Sequence, residues 1–378
     1  MHRVRAENNG RAKRCLRGGL VGFGFIGSRG HLAAYRERFA TRGDVEIVAV
    51  ADTCEARRAA AAAAWPGVRI YPSHEAMLAA EGGNLDFVDI CTPPSEHAAI
   101  AKAAFARGLH VLCEKPMATT RADAASMLRE AQRAHRVIFP CHNYKHAPVV
   151  TAIRDIVESG RIGAVRSATL STFRTSHAKG VSEWNTHWRR QQRYSGGGIA
   201  MDHGSHTFYL AFEWMRSWPT AISARTFNLE PGRWDTEDNF SAVLTFPTGI
   251  VHAHLTWTAG VRKVLYTVQG ELGAITADDD ELQIAVARGI SPEGVSAFDV
   301  EKVTARSDWM DASHTRWFNS MFDGMVRSIE TADFTGKDAQ DAYRCVELIT
   351  AGYESAHMAG REVLLGEGEP VTRAMVAR

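Results

Sequence analysis

Six residues constrain this chain more than any others: Gly22-Phe23-Gly24-Phe25-Ile26-Gly27. The run from Leu20 to Phe23 reads as a short buried strand, and residues 28–39 read as a helix. Glycines at this spacing make a tight strand-to-helix turn, let a pyrophosphate approach the backbone, and bring helix against strand. The helix start then offers free N–H groups and a positive dipole end to phosphate. A second strand over residues 45–51 ends in Asp52, where a carboxylate holds the adenosine ribose hydroxyls. That carboxylate repels a 2′-phosphate, so the pattern favours NAD. Arg57 and Arg58 follow closely and leave NADP as the alternative.

The same alternation continues. An alanine-rich helix over residues 57–64 leads to strands at 68–71, 87–91 and 110–113, with a helix over 96–107 between the last two. Strands and helices in strict alternation build a doubly wound parallel sheet, whose ligands gather at the strands' carboxyl ends. Thr92, Pro93, Glu114 and Lys115 fall at such ends. Beyond Val165 the period changes. Strands are expected at 165–173, 240–246, 250–258, 263–269 and 274–277, with a hairpin connection at Pro247-Thr248-Gly249. Two late helices, at about 312–330 and 338–358, are expected to pack back on the first half.

The fold expected is α/β plus α+β. A Rossmann domain spans 18–141, and an open, mostly antiparallel sheet flanked by helices spans 142–378, carrying substrate binding and oligomerisation. Residues 1–17 read as a disordered basic leader. A chain of 378 residues suits two such domains.

Charge excludes some partners. Lys+Arg 44 against Asp+Glu 43 leaves a net charge of +1, with no global attraction to nucleic acid or anionic lipid. No apolar run approaches the ~18 residues of a membrane helix. Six cysteines without CxxC spacing read as reduced thiols in a cytoplasmic protein. His203 and His206 are close and His252 and His254 alternate, but zinc needs three or four well-placed ligands, so no metal is expected.

Gly196-Gly197-Gly198 runs into Asp202 and His206, which are four residues apart on one face of a helix reaching about Trp214. Oxidising a secondary alcohol needs a base for the hydroxyl proton and a group that steadies the developing oxyanion. His206 suits the base, with Asp202 orienting it or binding an adjacent hydroxyl. Lys115, held in a turn by Pro116, would hydrogen-bond the reacting oxygen.

Residues 174–194 read as a substrate loop. Arg174, Lys179, Arg189, Arg190 and Arg193 face one acid, Glu183, among His177, His187, Trp184, Trp188 and Tyr194. Such a loop suits a phosphorylated or carboxylated polyol with an indole on its ring. Equally, the arginines could hold the cofactor pyrophosphate or be solvated.

Seven motifs together resemble the glucose–fructose oxidoreductase / inositol dehydrogenase family (Gfo/Idh/MocA), over about residues 18–360. They are Gly22-x-Gly24-Phe25-Ile26-Gly27, Thr92-Pro93-Pro94-x-x-His97, Glu114-Lys115-Pro116, Asn143-x-Lys145-x-x-Pro148, Gly160-Arg161-Ile162-Gly163-x-Val165, Gly196-Gly197-Gly198 and Asp202-x-Gly204-x-His206. The resemblance implies an NAD(P)-dependent dehydrogenase or reductase acting on a hydroxyl of a sugar, cyclitol or related polyol. Its alternatives are a redox-neutral enzyme that retains its NAD, and a dinucleotide or sugar sensor without turnover. It implies cofactor contacts from Gly22, Gly24, Phe25, Ile26, Gly27, Asp52, Thr92, Pro93, His97, Glu114, Lys115 and Asn143. Catalysis would fall to Lys115, Asp202 and His206. It also implies a homodimer or homotetramer through the C-terminal sheet, on a face that carries Trp257. Two positions depart from the pattern: Lys145 stands where the family often has Arg, and Tyr209 where it often has Asp. Both tend to lie near substrate, so they join Arg174, His177, Trp184 and Trp188 as substrate candidates.

Overall fold

The computed structural model describes residues 14–290, 296–307, 309 and 313–366. Its first sheet is built from β1 (Leu16–Val21), β2 (Val45–Ala51), β3 (Arg69–Tyr71), β4 (Phe87–Ile90), β5 (His110–Cys113) and β6 (Ile138–Pro140). All neighbours are parallel, in the order β3-β2-β1-β4-β5-β6. β2 and β4 are apolar almost throughout and buried, as strands covered by helices on both faces must be. A π-helical turn (Gly27–His31) runs into α1 (Leu32–Arg42), followed by α2 (Glu55–Ala64), α3 (His74–Glu81), α4 (Pro94–Ala106) and α5 (Arg121–Ala134). Ser73 and Thr120 start α3 and α5 by accepting the backbone N–H groups of Ala76 and Asp123 at 3.3 and 3.1 Å. The chain leaves β1 in one direction towards β2 and β3, then returns to its other side for β4. Between β1 and β4, therefore, the sheet leaves a crevice at its carboxyl end.

The leader expected over 1–17 needs correction at its end. β1 already begins at Leu16, four residues earlier than the sequence suggests, and Arg17 N–H donates to Asp86 at 2.9 Å. Pairing with Val45 and Glu46 of β2 extends the strand beyond its most apolar residues. Residues 1–13 of that leader lie outside the described residues.

The second sheet contains β7 (Val165–Phe173), β8 (Ala221–Phe227), β9 (Asn239–Phe246), β10 (Gly249–Thr256), β11 (Lys263–Gly270), β12 (Gly273–Asp278), β13 (Glu281–Ile290), β14 (Ser296–Thr304) and β15 (Val363–Leu364). Its order is β14-β13-β12-β11-β7-β10-β9-β8-β15, and among these pairs only β7–β10 is parallel. Helix α6 (Pro148–Glu158) enters this half, and a short α7 (Gln192–Ser195) precedes α8 (Ile199–Met215). α8 buries Phe208, Phe212 and Trp214 against Leu170, Val251 and Tyr266 of the sheet. α9 (Thr315–Glu330) and α10 (Lys337–His357) pack back on α1 and α5. Buried Arg38 joins α1 to α9, 2.7 Å from Asp44 and 2.9 Å from Asp323.

Trp257 is a second correction. It is 3% exposed and belongs to the core, because it lies past the end of β10, where strand alternation no longer sets direction. The open face instead presents Val243, Ile250, His252 and His254. Among the described residues, no helix is long and apolar enough to cross a membrane.

Candidate active site

A cavity of about 860 Å³ runs from the glycine turn to the first turns of α8. Its near end is shaped by missing side chains. Gly22 has φ +93°, and a Cβ there would lie 2.9 Å from the Cys91 backbone, so only glycine lets β1 and β4 sit this close. A Cβ at Gly27 would stand 2.5 Å from the Gly22 carbonyl oxygen, which explains how the helix start packs onto the strand. Nothing lies within 4 Å of the Cβ position of Gly24, which borders the cavity beside Phe25 and Ile26.

Asp52 is fixed at the cavity wall by accepting the N–H groups of Phe23 and Cys54 at 2.7 and 2.8 Å. Thr92 Oγ1 is buried with no hydrogen-bond partner among the described residues, next to Pro93 at the end of β4. An open glycine backbone, a carboxylate at the second strand end and an orphaned hydroxyl between them fit a dinucleotide. Asn143 and Glu114 also border the cavity.

His97 does not border it. The ring is fully buried, with one nitrogen 2.9 Å from the Pro116 carbonyl oxygen and the other 2.9 Å from that of Thr92. On α4 it faces inward and ties together the two loops that do line the cavity. Its place in the motif reflects positioning rather than cofactor contact.

Lys115 and α8 meet across the two halves. Lys115 Nζ donates to the Asp202 carbonyl oxygen at 2.6 Å and to Asp202 Oδ1 at 3.1 Å. Arg189 Nε donates to the same Oδ1 at 3.3 Å. Burial pushes the Asp202 carboxyl up, but Lys115 and then Arg189 override it and hold it well below the usual carboxylate range. Two cations around one carboxylate leave a positive excess beside the cavity.

His206 sits on the same face of α8 but is not oriented by Asp202, contrary to one of the two roles the spacing suggested. Its Nδ1 lies 2.6 Å from the Tyr209 hydroxyl, and Tyr144 stacks on its ring at 3.8 Å. The carboxylate is drawn to the two cations, and the phenol takes its place. Burial first, then Lys115, press the His206 pKa well below its ordinary value, so the imidazole is neutral near pH 7.

Tyr209 and Lys145, expected at the substrate, stand behind the site. Tyr209 is fully buried, stacked on His142 at 4.1 Å, with Lys145 Nζ 5.6 Å from its ring centroid. Lys145 Nζ is 2.7 Å from Asp338 and 3.1 Å from Asp341 on α10. Burial would lower its pKa, and those two carboxylates outweigh burial and raise it. A lysine so satisfied has no reason to turn towards the cavity.

Arg174, His177, Trp184 and Trp188 do border the cavity, with Trp184 41% exposed at its mouth. Tyr144, His203 and Arg262 line it as well, and sequence reasoning assigned none of them a role. Tyr144 follows directly on the Asn143 motif and was within reach. Arg262 carries no local signal, since only the register of a distant strand brings it here.

Two family models match this chain in tandem. One, described as the oxidoreductase family with NAD-binding Rossmann fold, covers residues 16–142. The other, the GFO/IDH/MocA C-terminal domain, covers residues 150–276. D-apiose dehydrogenase of Paraburkholderia graminis is 37% identical over 148 residues, 39% of this chain and 38% of that enzyme. That match spans well under half of either protein. D-xylose 1-dehydrogenase (NADP(+)) 2 of Haloferax volcanii is 27% identical over 342 residues, 89% of this chain and 96% of the relative. The structure of levoglucosan dehydrogenase with NADH superposes with a TM-score of 0.80 at 22% identity, covering 93% of this chain and 100% of the other.

Proposed function

This chain belongs to the Gfo/Idh/MocA family of NAD-binding oxidoreductases, and on that premise we propose that it transfers a hydride between a nicotinamide cofactor and a hydroxyl or keto carbon of a sugar, cyclitol or related polyol. One observation carries this reading: Lys115 from the first half and His206 from the second converge on one cavity, with Asp202 between them. The relatives named above act on D-apiose, D-xylose and levoglucosan, which supports a sugar as substrate class.

The bound cofactor supplies the hydride chemistry. The open backbone at Gly24 admits its pyrophosphate, Asp52 holds the ribose hydroxyls, and Thr92 offers a free hydroxyl. In the tautomer whose Nδ1–H donates to the Tyr209 oxygen, Nε2 is bare and takes the proton of the substrate hydroxyl. The Lys115 ammonium has three donors. Two are engaged by Asp202, and the third is left for the oxygen on which negative charge develops.

Asp52 supports NAD over NADP. Arg57 is committed to the Phe23 carbonyl oxygen at 2.9 Å and to Glu183 at 3.0 Å, and Arg58 to the carbonyl oxygens of Asp52 and Thr53. All six cysteines are unpaired, in keeping with a reducing, cytoplasmic setting. A second copy on the open sheet face, where Val243 and Ile250 are 37% and 45% exposed, accounts for the assembly expected there. A monomer in sedimentation velocity at working concentration would refute that assembly. The activity is tested by following NAD and NADP reduction against aldoses, cyclitols, sugar acids and their phosphates. Turnover with NAD on at least one class is expected, and no reduced cofactor with any of them defeats the reading.

A further inference from the structure

The β7–β11 ladder ends on a like-charge pair. Its last rung sets Phe173 against Lys263, so the next residues outward, Arg174 and Arg262, stand opposite each other. Arg174 is fixed there, donating from Nη1 to the carbonyl oxygens of Phe173 at 2.9 Å and Lys263 at 3.3 Å. Like charges facing each other across an antiparallel pair are destabilising. Burial, and next Arg174, lower the Arg262 pKa. Asp279 offsets little: its Oδ1 is 3.4 Å from Arg262 Nη1 and already accepts the Val264 N–H at 2.9 Å.

Both arginines border the cavity that Tyr144, His203 and His206 also line. Tyr144, which stacks on His206, lines the same cavity as the arginine pair. Lys115 and Arg189, also on the cavity wall, share Asp202.

We propose that Arg174 and Arg262 form a subsite for a carboxylate on the substrate, so that the enzyme acts on a sugar acid or polyol acid. This rests on the hydride-transfer reading of the same cavity. Asp279 and Asp280 both act on Arg262, but the one direct contact, to Asp279, is long at 3.4 Å and leaves guanidinium donors that a single carboxylate can meet. A phosphate monoester would bring roughly −1.5 to −2. Guanidinium edges also match the two oxygens of a planar carboxylate.

The test compares three substrates on the same carbon skeleton with NAD: the neutral sugar, its acid and its phosphate ester. The acid is expected to exceed the neutral sugar in kcat/KM by about tenfold or more, the usual worth of a charge-assisted hydrogen bond. R262Q should lower that acid-to-neutral ratio by about tenfold, through KM rather than kcat, and R262K should recover part of it. Titration of the sugar acid into the enzyme–NADH complex, read by tryptophan fluorescence, should show the same weakening in R262Q. Equal kcat/KM for acid and neutral sugar, a preference for the phosphate ester, or an R262Q ratio unchanged from the parent overturns the subsite. If R262Q does not fold, R262K carries the test: a ratio in R262K equal to the parent's overturns the guanidinium assignment. Turnover of neutral sugars alone sinks this proposal and leaves the hydride-transfer reading intact, whereas no turnover with any of the three skeletons counts against both.

Discussion

Two histidines, one in each half of the molecule, are about equally buried, yet one is held as a cation and the other neutral. His31 closes the π-helical turn at 0% exposure, its Nδ1 2.6 Å from Asp89 and its Nε2 3.0 Å from Glu114. Tyr35 donates to the same Asp89 oxygen at 2.9 Å. Burial opposes a charged ring there, but Asp89 outweighs it and lifts the His31 pKa well above the usual value. His206, 6% exposed, faces Lys115 and His203 instead, and burial and Lys115 act together to press its pKa down. Burial alone decides neither case; the sign of the neighbours does. The contrast separates a structural cation from the neutral ring proposed above as the base. The two are linked through Glu114, which meets His31 with Oε1 and accepts the Lys115 N–H with Oε2 at 3.1 Å.

Removing the cation gives the largest expected effect. His31→Leu leaves Asp89 and Glu114 buried without their partner and should destabilise the fold by about 3–5 kcal/mol. Urea denaturation measures it, and a loss under about 1 kcal/mol would mean that the carboxylates need no cation. Next comes the neutral ring. His206→Asn should lower kcat about 10²-fold or more, with dinucleotide affinity in a fluorescence titration largely kept. A kcat within threefold of the parent enzyme would remove His206 as the base.

The smallest effect concerns pH. His142 and His203 are pulled to about 3 and His177 to about 4, chiefly by burial. Unfolded histidines titrate near ~6.5. Below that pH the unfolded chain therefore binds protons that the folded one refuses. Stability present above pH 6.5 should be lost as pH falls towards 4. His31 works the other way: its contribution is full below pH 6.5 and fades as pH rises through its raised folded pKa. The urea midpoint should drop between pH 7 and 5, and His203→Asn should make that slope shallower by about 1.4 kcal/mol per pH unit at most. An unchanged slope would show that His203 is not held neutral.

Much of this was legible in the sequence because it is local. The glycine turn, Asp52, Lys115, Asp202 and His206 each sit in a short motif whose backbone fixes their place, and all of them reach one cavity. Long-range partners were not legible. Nothing near Lys145 announces Asp338 and Asp341, almost two hundred residues on, so a buried ion cluster looked like a substrate contact. Tyr209 was read as a substrate residue because it stands where the resembled family often has Asp, and a motif position does not reveal the partner a side chain takes. Arg262 depends on strand register, and β8, β13 and β14 were not anticipated, although β13 alternates at Leu282, Ile284 and Val286.

The bond from Lys115 to the backbone of α8 has a consequence for how the two halves work together. The nitrogen proposed to serve the reacting oxygen is also a tether across the seam between domains, so on that proposal alignment and chemistry depend on the same atom. Losing it would loosen the register of the halves at the moment the reagent disappears. Variants at His206, which spans no seam, report on proton transfer alone.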